Sequence, residues 1–244
     1  MMYWVPNKDF RYSLKRGMVG TDVAALQLNL RSLVVDGDFG PLSERAVRRF
    51  QRTRSRLVTD GIAGPATQMA VALREMRRPA KLLPRGLLRS LASNESGFFL
   101  GSAGPHASDD GWDVGVFARS SGEAAPGQTF LASAYDVYES ACWTTDNLID
   151  QRAALGVPVR SWYADTLAPG DLERYRWMLA VLAHNWPAGA FNLARRGAVT
   201  VDYPGDSDDD DKPAGWIIAA TAGRLSTPRE WALSYIARAT VYMS

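Results

Sequence analysis

The sequence "VDGDFGP" at residues 35–41 decides the fold, because it recurs 24 residues later as "TDGIAGP" at residues 59–65. In each copy the Asp-Gly pair predicts a tight turn, since glycine adopts a positive φ at no steric cost. The Gly-Pro pair that ends each copy predicts the start of a helix, because proline is tolerated in the first helical turn, where its missing N–H is not needed. The repeat therefore predicts two turns that each lead into a helix.

Apolar residues at helical spacing predict three short helices around these turns. The first helix is expected to start with Thr21 or Asp22 as its N-cap. The second begins near Leu42, and the third follows the second turn. The positions that define the three helices are Val23, Leu26, Leu30 and Leu33; Ala46, Val47 and Phe50; and Ala66, Met69, Leu73 and Met76. We therefore predict a compact helical module that ends near Met76.

This front module resembles the type 1 peptidoglycan-binding domain of cell-wall hydrolases. The matching positions are Leu14, Gly20 to Val23, Leu26-Gln27, Asp36 to Gly40, Ala46-Val47, Phe50-Gln51, Asp60-Gly61, Gly64 and Thr67. One departure is Ser43, which stands where the family carries a threonine. The resemblance covers residues 14–75 and implies that the module binds bacterial peptidoglycan.

The charge of the chain is unevenly distributed. Residues 1–83 hold 15 Lys and Arg against 7 Asp and Glu, a net charge of +8, whereas the remainder carries −6. A basic front half predicts a polyanionic partner such as a nucleic acid, a membrane or an anionic wall polymer. The densest basic cluster comprises Arg45, Arg48, Arg49, Arg52, Arg54 and Arg56. No recognition-helix pattern accompanies it, so we predict a wall polymer rather than a nucleic acid.

Several features of the sequence limit where the protein is expected to act and what it is expected to bind. No apolar run of 18 residues occurs, so no membrane span is expected, and the N-terminus lacks the apolar core of a signal peptide. We therefore expect a protein that waits in a host cytoplasm before release to the wall, or one carried in a virion. Two histidines and the single Cys142 provide no ligand cluster, so neither a metal nor a cofactor is expected. We expect a monomer.

The sequence divides into three predicted parts. Residues 1–76 form the module, residues 77–86 ("RRPAKLLPRG") read as a linker with two prolines, and residues 87–244 form a second domain. Helical patterns start at Leu87, around residue 129, at Asp171 and at Thr227. The predicted fold class is mainly α. A glycine-rich connection over residues 101–127 is the expected place for a functional site.

Three short motifs in the second domain resemble the lysozyme and lytic-transglycosylase superfamily. They are Glu95-Ser96 at a helix end, Gly115-Val116-Phe117 about 20 residues later, and the segment 183–189 ("AHNWPAG"). The resemblance implies a lysozyme-like helical domain, poor in β-structure, in which Glu95 is the general acid. Residues expected to line the cleft are Ser96, Gly115, Val116, Phe117, His184 and Asn185. Two departures are Ala118 in place of glutamine and His184 in place of tyrosine.

The neighbours of Glu95 bear on its chemistry. Phe98 and Phe99 predict an apolar wall, which raises the pKa of a carboxyl group and favours proton donation. Asp109, Asp110 and Asp113 follow in one loop as candidates for the second carboxylate of a hydrolase. Trp112 lies between them as a candidate sugar contact. The sequence thus favours a muramidase of phage endolysin type; the alternatives are a lytic transglycosylase and a non-enzymatic wall-binding virion protein.

The remaining candidate groups have ordinary structural explanations as well. Trp143, Trp177 and Trp231 lie on apolar helix faces and are predicted to belong to the core. Cys142, in an apolar helix, is predicted to be a buried thiol rather than a nucleophile. His184 is either a cleft residue or a packed core histidine.

Overall fold

The computed structural model describes residues 13–105, 112–120, 129–155, 171–185 and 190. Helices dominate this part of the chain, which confirms the mainly α fold class. The seven helices described are α1 (Thr21–Leu30), α2 (Pro41–Arg52), α3 (Pro65–Glu75), α4 (Leu87–Glu95), α5 (Thr129–Tyr135), α6 (Val137–Ala154) and α7 (Asp171–Asn185). A 3₁₀ helix over Pro79–Leu82 lies within the stretch that was predicted to be a linker.

The chain forms two compact units, neither of which is continuous in sequence. One unit comprises Met1–Leu82 and Ala92–Thr144, and the other comprises Leu83–Leu91 and Thr145–Ser244. The helices α1 to α3 therefore share a unit with residues 92–144. The predicted division into residues 1–76, 77–86 and 87–244 stays a prediction.

The three front helices begin where the repeat predicts. Pro41 and Pro65 occupy the first turns of α2 and α3, each directly after a glycine N-cap. The expected cap of α1 was wrong: Gly20 is its N-cap, and neither Thr21 nor Asp22 provides a capping side chain. Both residues already lie within the helix. The core among these helices includes Leu26, Phe39, Val47 and Val71, each fully buried.

A small antiparallel sheet follows α4, where the sequence indicated only a glycine-rich connection. Its strands are β1 (Ala103–Pro105), β2 (Trp112–Val114) and β3 (Arg119–Ser120), in the order β1-β2-β3. The register pairs Asp113 with Gly104 on one side and with Ser120 on the other. Between β2 and β3, Gly115 has a φ of 77°. A Cβ atom there would collide with the carbonyl oxygen of Ala134, so only glycine fits against α5.

Asp136 is the single residue between helices α5 and α6. Its side chain caps α6, because the amides of Tyr138 and Glu139 donate to Oδ1 at 3.0 and 3.2 Å. The segment from Ala134 to Val137 is buried. The helical pattern predicted from residue 129 thus forms two helices, α5 and α6.

The second unit contains α7 and the end of α6. Trp177 is 9% exposed, which confirms its place in the core, and the guanidinium of Arg152 lies 4.9 Å from the centroid of its ring. The expected helix from Thr227, with Trp231, lies outside the described residues. Within the described parts of the chain, no helix is both long and apolar enough to cross a membrane.

Candidate functional site

Gln27, on α1, holds the first repeated loop from inside. The side chain is 2% exposed. Its Nε2 donates to Asp36 Oδ1 at 2.7 Å, to the carbonyl of Asp38 at 2.9 Å and to Ser43 Oγ at 3.1 Å. Its Oε1 accepts from the amides of Asp36 and Gly37 at 3.1 and 2.9 Å. One buried amide therefore satisfies much of the backbone of the loop, which makes the loop rigid.

Gln51, on α2, does the same for the second loop. It is 1% exposed, and its Nε2 donates to Asp60 Oδ1 at 2.9 Å, to the carbonyl of Ile62 at 2.9 Å and to Thr67 Oγ1 at 3.3 Å. Its Oε1 accepts from the amide of Gly61 at 2.9 Å. We call Gln27 and Gln51, with the loops that they hold, the two glutamine clasps.

The aspartate of each clasp is stabilised in its charged form. The amide of Asp38 donates to Asp36 at 2.9 Å, and this bond, with that of Gln27, lowers the pKa of Asp36. The amide of Ile62 and then the side chain of Gln51 lower the pKa of Asp60 in the same way. Both carboxylates are thus hydrogen-bonded within their own loops and stabilise the loop conformation, although both residues are exposed to solvent.

The chain before α1 runs alongside both loops. Leu14 forms two backbone hydrogen bonds with Ala63 of the second loop, at 3.2 and 2.8 Å. Val19 forms an antiparallel bridge with Asp38 of the first loop. Because residues 13–20 pair with both loops, these three segments form one continuous surface. We call this surface the loop face.

Exposed apolar side chains border the loop face. Val19 is 76% exposed, Leu42 is 64% exposed and Ile62 is 37% exposed. Arg16, whose side chain is 65% exposed, lies 3.8 Å from Glu44. The clasps hold these side chains on a firm backbone. Such a surface can contact a partner that has both apolar and anionic groups without first having to become ordered.

Half of the arginine cluster is engaged within the module. Arg48 pairs with Glu44 at 2.9 Å and donates to the carbonyl of Thr59 at 3.0 Å. Arg49 donates to Ser32 at 2.6 Å, and Arg54 lies 5.1 Å from the ring centroid of Phe50. Arg45, Arg52 and Arg56 are exposed. The cluster therefore stabilises the module as well as contributing positive charge to its surface.

Glu95 is the last residue of α4 and is half-buried. Asn94 Nδ2 donates to its Oε1 at 3.1 Å. The next residue, Ser96, donates through Oγ to the carbonyl of Val116 at 2.9 Å. The structure therefore brings together the first two motifs of the second domain. Ser96 Oγ also accepts from the amide of Phe98, which has a φ of 67°, so this serine shapes a turn.

The other candidate residues around the sheet differ in their exposure to solvent. Val116 and Phe117 are each 1% exposed, so their side chains belong to the core. Asp113 is half-buried in β2. For Trp112 the structure gives the backbone, in β2, and not the side chain. Asp109 and Asp110 lie outside the described residues.

His184 and Asn185 belong to the second unit, at the end of α7. His184 is half-buried, with Nδ1 at 3.0 Å from Asn147 Oδ1, whereas Asn185 is exposed. The free Cys142 is half-buried rather than fully buried, and its hydrogen bond with Tyr138 raises the pKa of that phenol. Among the described residues, no three His, Cys, Asp or Glu side chains are grouped so that they could hold a metal ion.

Two comparisons with known proteins each match part of this chain. A family model for the peptidoglycan binding domain matches residues 19–71, so a domain of this family is present. A zinc D-Ala-D-Ala carboxypeptidase of Streptomyces albus G is 42% identical over 62 residues, which are 22% of this chain and 24% of that protein. The chain thus matches about a quarter of the length of that relative.

The expected glycoside hydrolase was wrong. The relative is named as a carboxypeptidase, a peptidase, which points to a different enzyme class from a muramidase or a lytic transglycosylase. The two matches include no lysozyme, endolysin or phage protein. The motifs that favoured a lysozyme are short. Ser96, Val116 and Phe117 have structural roles that account for their presence, one in a turn and two in the core.

Proposed function

We propose that this protein binds bacterial peptidoglycan through its front module, on the loop face. The match of residues 19–71 to the peptidoglycan binding domain supports this proposal. Partial identity with a Streptomyces albus G enzyme named for D-Ala-D-Ala, a dipeptide of the cell wall, is consistent with it. The module would thereby hold the rest of the chain at the wall.

The observation that carries the proposal is the pair of glutamine clasps beneath the loop face. Buried hydrogen bonds fix both loops, and the exposed Val19, Leu42 and Ile62 therefore have a fixed spacing. Binding to a preordered surface avoids much of the entropy cost of association. Peptidoglycan presents apolar sugar faces and alanine methyl groups that suit such a surface.

A sedimentation experiment with purified peptidoglycan tests the proposal. Leu42→Ser and Val19→Ser should each weaken binding about five- to tenfold, because each removes an exposed apolar side chain at the loop face that a bound partner would cover. Leu82→Ser is the matched control, since Leu82 is 66% exposed, close to the 64% of Leu42, but lies outside residues 19–71. Equal loss in all three variants, or no loss in any, would contradict binding at the loop face.

The positive charge of the module suggests a second contact with anionic wall polymers. Arg45, Arg52 and Arg56 are exposed on or just after α2, and attraction to a polyanion is weakened by salt. Walls stripped of anionic polymers should bind the protein less tightly at low salt and equally at high salt. Undiminished binding to stripped walls at low salt would leave peptidoglycan as the sole partner.

A further inference from the structure

Trp143 does not lie where the sequence predicts. The apolar pattern of α6 places it in the core, yet 43% of the residue is exposed. The guanidinium of Arg119 lies over the indole at 4.4 Å from the ring centroid. A cation at this distance is attracted to the negative face of the ring and restricts its rotation. Trp143 is therefore an aromatic side chain that Arg119 contacts on one face of the ring and that is partly open to solvent.

Both residues of this pair stand on regular structure. Arg119 begins β3, where its backbone pairs with Val114 of β2. The side chain of Arg119 is half-buried, and this burial lowers its pKa. Trp143 lies within α6, near its start. Rigid elements hold a binding group more exactly than loops do.

The start of α6 is fixed to the module by two residues at the end of α1, Asn29 and Arg31. Asn29 Nδ2 donates to the carbonyl of Tyr135 at 2.8 Å, and its Oδ1 accepts from the amide of Val137 at 2.9 Å. Arg31 forms a two-pronged ion pair with Asp136, at 2.5 and 2.6 Å. Trp143 lies less than two helical turns beyond this junction. Its distance from the loop face is consequently set by direct contacts and not by a flexible tether.

We propose that Trp143 is a second glycan-binding site of the same unit, which stacks on a sugar ring of the strand that the loop face holds. This inference rests on the proposed function. The flat indole suits the apolar face of a pyranose, and Arg119 keeps the ring in position. A polymer that contacts two fixed sites gains affinity, because the second contact forms at a high effective concentration.

Sedimentation of the full chain with purified peptidoglycan measures the contribution of this site. Trp143→Leu should weaken binding about three- to tenfold, since it removes an aromatic stacking partner but keeps an apolar side chain. Trp143→Phe keeps an aromatic face and should restore most of the affinity. Ile149→Ala, at a 37% exposed position of the same helix, is the control and should bind as the wild type does.

A second measurement does not depend on the folding of a variant. With 5-fluorotryptophan in the wild-type chain, the ¹⁹F resonance of Trp143 is identified by its loss in Trp143→Phe. A soluble N-acetylglucosamine oligomer should shift that resonance. No shift, together with unchanged sedimentation of Trp143→Leu, would overturn the second site.

The two proposals fail in different ways. If Leu42→Ser weakens binding and Trp143→Leu does not, the loop face stands and the second site falls. If the wild-type chain does not sediment with peptidoglycan at all, the proposed function itself falls. A shift of the Trp143 resonance by the oligomer in that case would still show a sugar site on α6.

Discussion

The module has two halves, one formed by α1 and the first loop and the other by α2 and the second loop. Both contain the same kind of glutamine clasp, but the two halves have different neighbours. Gln27 and Gln51 make corresponding bonds to an aspartate carboxylate, to a carbonyl two residues further on and to a hydroxyl at the start of the next helix. Helix α2 takes part in both, because its start follows the first loop and its end carries Gln51. The loop geometry therefore depends on the buried glutamine and not on what lies outside it.

The outer contacts of the two halves differ. Asp22, Asn29 and Arg31 of the first half contact Gly101 and residues 135–137 of the same unit. The positions 24 residues later hold Ala46, Thr53 and Ser55. The first half thus binds another part of the chain in addition to forming its loop. The comparison therefore distinguishes the residues that stabilise the loops, which both halves share, from the residues that pack against another part of the chain, which only the first half has.

The largest expected effect removes a clasp. Gln27→Ala or Gln51→Ala leaves several buried loop groups without partners and creates a cavity, which should lower the free energy of unfolding by about 3–5 kcal/mol. Urea unfolding monitored by circular dichroism measures this change. The two losses should be similar, because the two clasps are alike. A loss below about 1 kcal/mol in either would show that its loop does not need the glutamine.

The next effect concerns Asp22, which has no acidic counterpart in the second half. Burial raises its pKa to about 7, and its carboxylate lies against Gly101 and near Tyr135, whose own pKa burial and the charge of Asp22 raise. In the unfolded chain the pKa is about 4, so between about pH 4 and pH 7 the folded state holds the proton more tightly. Stability should therefore fall as the pH rises through this window.

The size of that fall follows from the shift of about three pKa units, which corresponds to at most about 4 kcal/mol. Asp22→Asn should remove most of this pH dependence and should make the protein more stable than the wild type at pH 8. Thermal unfolding at several pH values measures both. An unchanged slope in Asp22→Asn would assign the dependence to another group.

A smaller effect on stability is expected for Asn29, which contacts the α5–α6 junction, and a still smaller one for Thr53, which occupies the corresponding position in the second half. Asn29 is fully buried, and Asn29→Ala leaves the carbonyl of Tyr135 and the amide of Val137 unpaired, at a cost of about 2–3 kcal/mol. Thr53 Oγ1 makes local bonds: it donates to the carbonyl of Phe50 at 2.6 Å and accepts from the adjacent Arg54 at 3.2 Å. Thr53→Ala should therefore cost less than about 1 kcal/mol. Equal costs would mean that the first half has no special docking role.

The module could be predicted from sequence because its signals are local and repeated. An Asp-Gly turn followed by Gly-Pro fixes both a loop and the start of a helix within seven residues, and the repeat provides an internal check. The helix starts at Pro41 and Pro65 follow directly. Polar Gln27 and Gln51 appeared only as family positions, since a buried amide that bonds to residues about ten positions away leaves no periodic signal.

The structure of the chain after the module could not be predicted as well from sequence, because it depends on contacts between residues that are distant in sequence. Strands of two or three residues are too short to show alternation. Trp143 has an apolar helical neighbourhood, yet the helix face that it occupies is open. The motif around Glu95 indicated a catalytic acid, whereas Ser96 Oγ accepts from the amide of Phe98 within a turn and donates to the distant carbonyl of Val116. Short motifs fit both interpretations equally well.

The smallest effect compares the turn glycines Gly37 and Gly61, with φ values of 72° and 77°. Alanine at either position should cost about 1–2 kcal/mol, because a side chain disfavours this left-handed backbone. Gly40→Ala, at a φ of −82° with open space around it, is the control and should change little. Urea unfolding of the three variants measures these costs.

The surroundings of the two glycines sharpen this last comparison. A Cβ atom at position 37 would meet the carbonyl oxygen of Gly20 at 3.2 Å, which cannot move without the backbone. At position 61 it would meet Glu44 Cγ and Arg48 Nε at 2.8 and 2.9 Å, which are side-chain atoms that a substitution can remove. The cost of Gly61→Ala should therefore decrease when Glu44 is also replaced by alanine, whereas the cost of Gly37→Ala should not. If Glu44→Ala leaves both costs unchanged, backbone strain alone determines how much free energy of unfolding is lost when alanine replaces either glycine.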